Sequence, residues 1–263
     1  MIVVYAMGGG LGHLARARRV LEALGTRGER AAVMTASPMN DALRFDPQVE
    51  VIVAPRDRAR FPAWLRDRLR GLAPDTVVVD AFPLGLLGEL ADPRILPDAR
   101  LVHVARLLRW DAYRAACPGT PRRFDATFAV EPLTPPHADF LEAHSHRVER
   151  LALVASAPVE IAPGAPWLVS HSGPDDEIER LRAFAEREAG RRGERARIVV
   201  RSPRHLPVHE GPCGALVTAC GFNSMLEGAA LGERHLFLPL ARRYDHQPLR
   251  AARRQRELRE ARA

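Results

Sequence analysis

Residues 218–247 read TACGFNSMLEGAALGERHLFLPLARRYDHQ, and this stretch decides the fold. The pattern predicts a strand, a glycine turn at Gly221, a helix, a second strand that ends at Pro239, and a polar loop. A helix that follows a glycine turn presents backbone N–H groups and the positive end of its dipole, which together favour a phosphate. The order of elements therefore predicts part of a nucleotide-binding α/β sheet.

A second glycine-rich turn, GGGLGH at residues 8–13, follows the first strand of the chain and precedes a helix. Its glycines Gly9, Gly10 and Gly12 would let a ligand approach the backbone closely. The turn is not the dinucleotide fingerprint, because His13 stands where the last glycine would be, and no P-loop lysine follows. Two such turns predict two nucleotide-binding halves facing one cleft. The alternative is a plain strand–helix turn that binds nothing.

Short apolar runs alternate with helical patterns throughout the first half, which is typical of a parallel sheet covered by helices. The predicted strands are Ile2–Ala6, Ala31–Thr35, Val49–Val53, Thr76–Val79, Leu101–Ala105, Ala126–Val130 and Arg147–Leu153. The predicted helices are Leu14–Leu24, Met39–Phe45, Phe61–Leu72 and Leu84–Leu90.

The second half repeats the pattern after a segment rich in alanine and proline, Ala155–Pro166, which we interpret as a linker. Its predicted strands are Trp167–Ser170, Ile198–Arg201, Ala215–Thr218 and Leu236–Leu238. Its predicted helices are Asp175–Gly190, Asn223–Leu231 and the arginine-rich segment from Asp245 to the C-terminus. We expect two α/β domains, residues 1–157 and 158–263, with the last helix able to pack back on the first.

Composition narrows the class of protein. The chain of 263 residues contains no lysine, so its net charge of +7 is the balance of 39 arginines against 32 acidic residues. We interpret these arginines as part of a solvated surface. No recognition helix or basic strand interleaved with aromatic residues supports nucleic-acid binding. Three cysteines without a CxxC spacing favour a reducing compartment, and no apolar stretch approaches the ~20 residues of a membrane span. We therefore expect a cytoplasmic protein.

Four residues that end or follow predicted strands are candidates for chemistry. His13 is placed to act as a general base, although it could instead bind a phosphate or cap the turn. Asp80 ends an apolar strand, where it could orient His13 or bind a hydroxyl, the alternative being a cap for the helix predicted at Leu84. Ser172 and Gly173 follow the first strand of the second half and could hold a phosphate, with a plain capped turn as the alternative.

Metal binding receives little support from the sequence. The histidine pairs His144/His146 and His205/His209 have no cysteine or carboxylate set at the spacing of a zinc site. We therefore expect no metal in the site.

With these motifs in hand, the chain resembles the GT-B nucleotide-sugar glycosyltransferases, and most closely the group that contains the peptidoglycan N-acetylglucosaminyltransferase that makes lipid II. The residues that carry the resemblance are Gly9, Gly10, Leu11, Gly12 and His13 in the first turn, and Gly221, Ser224, Glu227, Ala229, Ala230, Gly232, Pro239 and Gln247 in the second block. The chain departs from the family pattern at Ala219, at Glu233 and Arg234, and at Arg250.

The resemblance implies two Rossmann-like domains, with the donor bound by the second. By this analogy Glu227 would hold the ribose hydroxyls, and Asp245 and Gln247 would contact the donor sugar. His13 would lie on the acceptor side. The diphosphate would lie against Gly221, Asn223 and Ser224. The family needs no metal, because the helix dipole and N–H groups stabilise the leaving diphosphate.

The sequence therefore predicts a metal-independent glycosyltransferase that uses a nucleotide sugar, with UDP as the expected nucleotide and no other cofactor. The acceptor would be a small molecule or lipid-linked, and in the second case the arginine-rich last helix would rest on an anionic membrane surface. Three alternatives stay open: hydrolysis or epimerisation of the nucleotide sugar, a non-catalytic nucleotide-sugar binder that serves a partner chain, and a protein that binds nucleic acid or the membrane surface through its arginines.

Overall fold

A computed structural model describes residues 1–155, 159–203 and 211–262. The chain divides into two compact units, Met1–Leu153 and Val154–Ala263, each built on its own parallel sheet. The predicted α/β class with two parallel sheets is confirmed. The expected domain boundary between residues 157 and 158 and part of the expected linker lie outside the described residues.

The first unit contains a seven-stranded sheet in the order β3-β2-β1-β4-β5-β6-β7, and every neighbouring pair is parallel. The strands are β1 (Ile2–Ala6), β2 (Ala31–Thr35), β3 (Val49–Val53), β4 (Thr76–Asp80), β5 (Arg100–Ala105), β6 (Ala126–Ala129) and β7 (Val148–Arg150). The helices are α1 (Leu11–Ala23), α2 (Phe61–Leu72), α3 (Trp110–Ala116) and α4 (Pro135–Ala143).

The central strands of this sheet are buried on both faces, which explains their continuous apolar sequence. Val77 and Val79 of β4 lie in the same core as Val3 and Tyr5 of β1. Leu65 of α2 packs into this core as well. The core fixes the positions at which β1 and β4 end, and therefore the positions of the turns that follow them.

The second unit contains a four-stranded parallel sheet in the order β11-β10-β8-β9, in keeping with its small size. The strands are β8 (Trp167–Ser170), β9 (Ile198–Arg201), β10 (Ala215–Ala219) and β11 (His235–Leu238). The helices are α5 (Asp175–Arg191), α6 (Phe222–Gly228) and α7 (Gln247–Glu260). Helix α5 packs Leu181 and Ala185 against the core around Trp167 and Val217.

Several predicted helices are wrong in extent or kind. The segment expected at Met39–Phe45 forms only a 3-10 turn at Asn40–Ala42. No helix begins at Leu84, because Gly85 and Gly88 adopt positive φ angles of 82° and 87°, and only a 3-10 turn at Glu89–Ala91 follows.

Two short helices, α3 and α4, were not predicted, and the helix expected to reach Leu231 changes to a 3-10 turn after α6. This turn contains Gly232 at φ 53° and ψ −125°, a conformation outside the helical region, so a regular helix cannot pass through it.

Candidate functional site

The first candidate site lies where β1 and β4 end, side by side at the centre of the first sheet. The strand order reverses between these two strands, because β1 is followed by β2 on one side and β4 lies on the other. Ligands of open α/β sheets bind at the carboxyl ends of the strands at such a reversal. The structure brings His13, which follows β1, and Asp80, the last residue of β4, together at this point.

His13 and Asp80 are joined by a hydrogen bond of 2.7 Å between Nδ1 and Oδ2. Asp80 is only 1% exposed, whereas the His13 side chain keeps 14% of its surface exposed. The carboxylate therefore fixes the ring by one nitrogen. In the part of the chain that the structure describes, the other nitrogen, Nε2, makes no hydrogen bond. The geometry leaves Nε2 able to accept a proton from a ligand.

Arg16, one helical turn after His13, completes a buried cluster of three groups. Its Nε donates to Asp80 Oδ1 and its Nη2 donates to Asp80 Oδ2 at 2.7 Å. Burial alone would raise the pKa of Asp80, but the Arg16 charge and the hydrogen bonds from His13 and Arg16 hold it well below its usual value. Asp80 is therefore an anion at neutral pH.

The pKa of His13 is lowered, and burial is the main cause. The hydrogen bond and charge of Asp80 oppose this shift, while the charges of Arg16 and Arg106 add to it. His13 is consequently neutral at pH 7, the state in which an imidazole can act as a base.

Two neighbours set the plane of the His13 ring. The ring stacks on Phe82 with 5.7 Å between centroids. Gly8 also adjoins the ring, since an added Cβ there would lie 2.1 Å from Cδ2 and 2.4 Å from Nε2 of His13. Gly8 is therefore required for close packing, and not for a positive φ angle, since the positive-φ glycines of the described residues lie elsewhere in the chain.

The three glycines predicted to touch substrate lie around the start of α1. Gly9 and Gly10 are exposed, Gly10 is the N-cap of the helix, and a Cβ on either would meet no atom within 4 Å. Gly12 lies in the first turn of α1 and is also exposed. The structure thus places all three beside His13 on an open part of the surface of the first unit.

The second candidate site occupies the corresponding point of the second sheet, where the order reverses between β8 and β10. Gly221 follows β10 and is the N-cap of α6, with φ −67° and ψ 152°, and it has no side chain to cap the helix. Asn223 and Ser224 lie in the first turn of α6, and Glu227 lies one turn later, half-buried. The residues predicted to bind the diphosphate and the ribose thus lie in one short helix or at its N-cap.

Asp245 and Gln247 are each hydrogen-bonded to another residue of the second unit. Asp245 Oδ1 accepts from Arg250 Nη2 at 3.0 Å, and Arg250 Nη1 donates to the Cys220 carbonyl at 2.7 Å. Gln247 Oε1 accepts from the Leu240 amide at 2.9 Å, and Gln247 is 3% exposed. Arg250 therefore ties the loop before α7 to the Gly221 turn, which gives a structural reason for arginine at this position.

Three neighbouring side chains, His171, Glu177 and Arg242, form a hydrogen-bonded cluster beside the turn that contains Ser172 and Gly173. His171 Nε2 lies 2.7 Å from Glu177 Oε2, and Arg242 donates from both terminal nitrogens to the same carboxylate. A Cβ on Gly173 would lie 2.2 Å from His171 Nε2, so glycine is needed here for packing. The acidic first turn of α5 weakens the case for a phosphate at Ser172 and Gly173.

No protein-family model matches this sequence, and no curated protein matches it significantly. Solved structures do share its fold. CalG4, the calicheamicin glycosyltransferase, superposes with a TM-score of 0.50 at 14% identity, covering 98% of this chain and 89% of that one. A UGT transferase from Siraitia grosvenorii, solved in complex with UDP, superposes with a TM-score of 0.51 at 13% identity, covering 95% and 82%. The chain has the GT-B-like fold of these glycosyltransferases.

The sequence analysis assigned no role to four residues that position side chains in the two candidate sites. They are Arg16 and Phe82 around His13, and Arg242 and Arg250 in the second unit. Arg16 was detectable, since it lies three residues after His13 on one helix face. The other three act across long sequence separations that no local pattern reveals.

The described residues show neither a metal cluster nor a membrane-spanning helix. No group of three or more histidine, cysteine or acidic side chains gathers as metal ligands among them. His144 Nδ1 lies 2.7 Å from the Phe140 carbonyl, whereas His205 and His209 are outside the described residues. Within the same ranges, no helix is both long and apolar enough to cross a bilayer.

Proposed function

We propose that this protein is a glycosyltransferase that moves a sugar from a UDP-sugar to an acceptor hydroxyl. The observation that carries the proposal is the hydrogen-bonded His13–Asp80 pair at the strand reversal of the first sheet. Its support comes from the fold, which two solved glycosyltransferases share, one of them in complex with UDP.

In the proposed reaction His13 Nε2 removes the proton of the acceptor hydroxyl. The oxygen electron pair forms a bond to the anomeric carbon of the sugar, and the bond from this carbon to the diphosphate oxygen breaks, its electron pair leaving with the nucleoside diphosphate. Asp80 accepts the Nδ1 proton in a hydrogen bond of 2.7 Å, which selects the tautomer with a free Nε2 and stabilises the imidazolium that forms.

The second unit would bind the donor. We assign the diphosphate to Gly221, Asn223 and Ser224, because the glycine N-cap leaves the start of α6 open: a Cβ at Gly221 would meet only Ser224 Oγ, at 3.9 Å. Glu227 would bind the ribose hydroxyls. Asp245 and Gln247 would contact the donor sugar. In this scheme the helix start replaces a metal ion in stabilising the leaving group.

The resemblance to the lipid II-forming group extends the proposal to the acceptor. A lipid-linked acceptor would bring helix α7, rich in arginine, to an anionic membrane surface at the cytoplasmic face. A small soluble acceptor would require no such contact. Binding of the protein to anionic and to neutral liposomes separates these two acceptor classes.

The first experiment is a thermal-shift panel of nucleotides and nucleotide sugars, since a bound ligand stabilises the fold by mass action. The second compares His13→Ala with the native protein. We expect His13→Ala to lose transfer by about 100- to 10,000-fold while it still binds UDP, because the general base is removed and the donor site is not.

The matched control is His146→Ala, an exposed histidine of the same unit, which should retain full activity. Full transfer by His13→Ala would remove His13 from its role. Sugar released equally fast without any acceptor would instead identify a hydrolase.

A further inference from the structure

A strained turn of the backbone directly follows Asp80. Ala81 has φ 65°, and the Phe82 amide donates to the Asp80 carbonyl at 2.8 Å, which closes a γ-turn over these three residues. A γ-turn with a positive φ at its centre is rare, because the Cβ of an L-residue then crowds the following carbonyl oxygen. The Ala81 amide donates to the Val104 carbonyl at 2.9 Å, so the turn is held against β5.

The position of Ala81 in the chain gives no local reason for this strain. Among the described residues other than glycine, Ala73 also has a positive φ, 44°, and it is the C-cap of α2, with its amide bonded to the carbonyls of Leu69 and Arg70. The left-handed conformation is common at such a position. Ala81 ends no helix, since it lies between β4 and the 3-10 turn at Glu89–Ala91. Strain of this kind clusters at functional sites, where the surrounding structure maintains it.

The two residues that flank Ala81 hold one imidazole from different directions. Asp80 Oδ2 lies 2.7 Å from Nδ1 at the edge of the His13 ring. The Phe82 ring stacks on its face, with 5.7 Å between centroids and 29° between the ring planes. In a straight strand the Cα atoms of residues i and i+2 would lie about 6.6 Å apart. The γ-turn brings these two residues closer, because it joins the carbonyl of one to the amide of the other, and both side chains reach the same ring.

Phe82 is itself fixed by its surroundings. It is 3% exposed, and its ring centroid lies 5.5 Å from that of Tyr113. The Tyr113 hydroxyl accepts from the Leu84 amide and donates to the Gly85 carbonyl, each at 2.9 Å, which anchors the chain that leaves the turn. The stack therefore sets the plane of the His13 ring. Together with the carboxylate at Nδ1, it fixes the direction in which Nε2 points.

We propose that Ala81 is a positioning residue for the transfer reaction, because its left-handed turn sets Asp80 and Phe82 on His13 and thereby aims Nε2. The inference rests on the proposed function, in which Nε2 removes the acceptor proton. Ala81 acts through its two neighbours. Its contribution is the backbone angle and not the packing of its methyl group, and these two roles give different results on substitution.

Two substitutions at Ala81 separate the backbone angle from the methyl group. Ala81→Gly removes the methyl group and accepts a positive φ freely. Ala81→Val keeps the backbone amide, but a β-branched residue strongly disfavours a positive φ. The matched controls are Ala73→Gly and Ala73→Val, which make the same changes at the C-cap of α2. We expect both valine variants to lower Tm, since both oppose the native backbone angle.

The first readout needs neither donor nor acceptor. In protein labelled at histidine and phenylalanine, NMR detects the contact between the rings of His13 and Phe82 as a nuclear Overhauser effect, and His13→Gln assigns the His13 signals. We expect this contact in the native protein, in Ala81→Gly and in both Ala73 variants, and its loss in Ala81→Val. Absence of the contact from the native protein, or its persistence in Ala81→Val, overturns the inference.

The second readout is the release of UDP from UDP-glucose and from UDP-N-acetylglucosamine, with methyl glucoside as the acceptor and with water alone. We expect Ala81→Val to lower kcat by about 100-fold, the effect of a misplacement of about 1 Å, and to leave the KM for the donor unchanged. Ala81→Gly should retain most of the native kcat, and the Ala73 variants all of it. Equal losses in Ala81→Gly and Ala81→Val would assign the effect to the methyl group and overturn the inference.

Phe82→Leu provides the test if Ala81→Val does not fold. This variant keeps the turn and removes the aromatic ring from the face of His13, so kcat should fall while the KM for the donor stays constant. A native kcat in Phe82→Leu overturns the inference. If the native protein releases no UDP from either donor but the ring contacts change as expected, the transferase proposal fails while the role of Ala81 in placing His13 stands.

Discussion

At the scale of single residues, Gly8 matters more to the position of His13 than Gly9, Gly10 and Gly12, the glycines predicted to touch substrate. Gly8 leaves the space that the imidazole fills, since an added Cβ would overlap Cδ2 at 2.1 Å. We expect Gly8→Ala to displace the ring and to lower kcat by about 100-fold, the size of effect that a misplacement of about 1 Å produces. Steady-state kinetics together with UDP affinity measure this, and UDP affinity should not change.

The control for Gly8→Ala is Gly71→Ala in α2, where a Cβ meets no atom within 4 Å. This variant should keep full activity and gain about 0.5–1 kcal/mol of stability, because alanine favours the helix. Native activity in Gly8→Ala would mean that the ring position is not decisive.

Gly221 offers the complementary test in the second unit. A Cβ there meets only Ser224 Oγ at 3.9 Å, so Gly221→Ala should fold with a loss of at most about 1 kcal/mol, the preference of an N-cap for glycine over alanine. The methyl group would occupy the space that we assign to the diphosphate. We expect UDP affinity to fall at least about tenfold by calorimetry, while Gly190→Ala in α5 keeps native affinity. Native affinity in Gly221→Ala would place the diphosphate elsewhere.

At the scale of elements, the segment after β4 holds Phe82 in place without being helical. Glu89 accepts from the amides of Leu86 and Leu87 at 3.2 and 2.7 Å and from the Tyr5 hydroxyl, and burial raises its pKa. Tyr113 donates to the Gly85 carbonyl at 2.9 Å. Side chains from β1 and α3 thus replace the backbone bonds of the helix that the sequence predicts.

Substitution of Gly85 in this segment should destabilise the protein. Gly85 has φ 82°, and a Cβ there would lie 2.3 Å from the Glu89 carboxyl carbon. Gly85→Ala should therefore cost about 2–4 kcal/mol, from the left-handed backbone and the clash together. Gly164→Ala, at φ 77° with no atom within 4 Å, isolates the backbone cost of about 1–2 kcal/mol. Urea unfolding compares the two, and equal costs would mean that Glu89 moves aside freely.

The segment after β4 differs from its sequence prediction, whereas several strands agree with theirs. Strands such as Ile2–Ala6, Ala31–Thr35 and Ile198–Arg201 were predicted to the residue, because their apolar runs are bounded by polar or turn residues. The positions of His13 and Asp80 also followed, since parallel strands bring their carboxyl ends together. The missing helix at Leu84 did not follow, because Leu84–Leu90 has a helical pattern and is overridden by contacts from Tyr5 and Tyr113, far away in the sequence.

At the scale of the whole molecule, three buried histidines make the fold sensitive to acid. Burial lowers the pKa of His103 to about 4, of His137 to about 3 and of His235 to about 4. His137 stacks on Trp110 with 4.1 Å between centroids, and its ring nitrogens have no hydrogen-bond partner among the described residues. Each of these residues is neutral in the folded protein at pH 7, and protonation would place a charge in the core.

The free energy of unfolding should decrease as the pH falls, because the unfolded chain binds protons more tightly than the folded protein does. The unfolded chain binds protons at a pKa of about 6.5, above the folded values, so stability is fully present above about pH 7 and is lost as the pH falls from 6.5 towards 4. At pH 5 each histidine should reduce the free energy of unfolding by on the order of 2 kcal/mol. The low pKa of Asp80 affects stability only below about pH 4, and Glu89, with its raised pKa, opposes the loss in part.

Urea unfolding at pH 7.5 and pH 5 tests this account with His137→Phe, which keeps the stack on Trp110 and removes the titrating group. We expect this variant to lose about 2 kcal/mol less than the native protein between the two pH values. His146→Phe, at an exposed site, should show the native difference. Because the buried histidines belong to both units, His103 and His137 to the first and His235 to the second, both sheets should lose stability in the same pH window. An identical pH dependence in His137→Phe and the native protein would assign the acid sensitivity to groups outside this buried set.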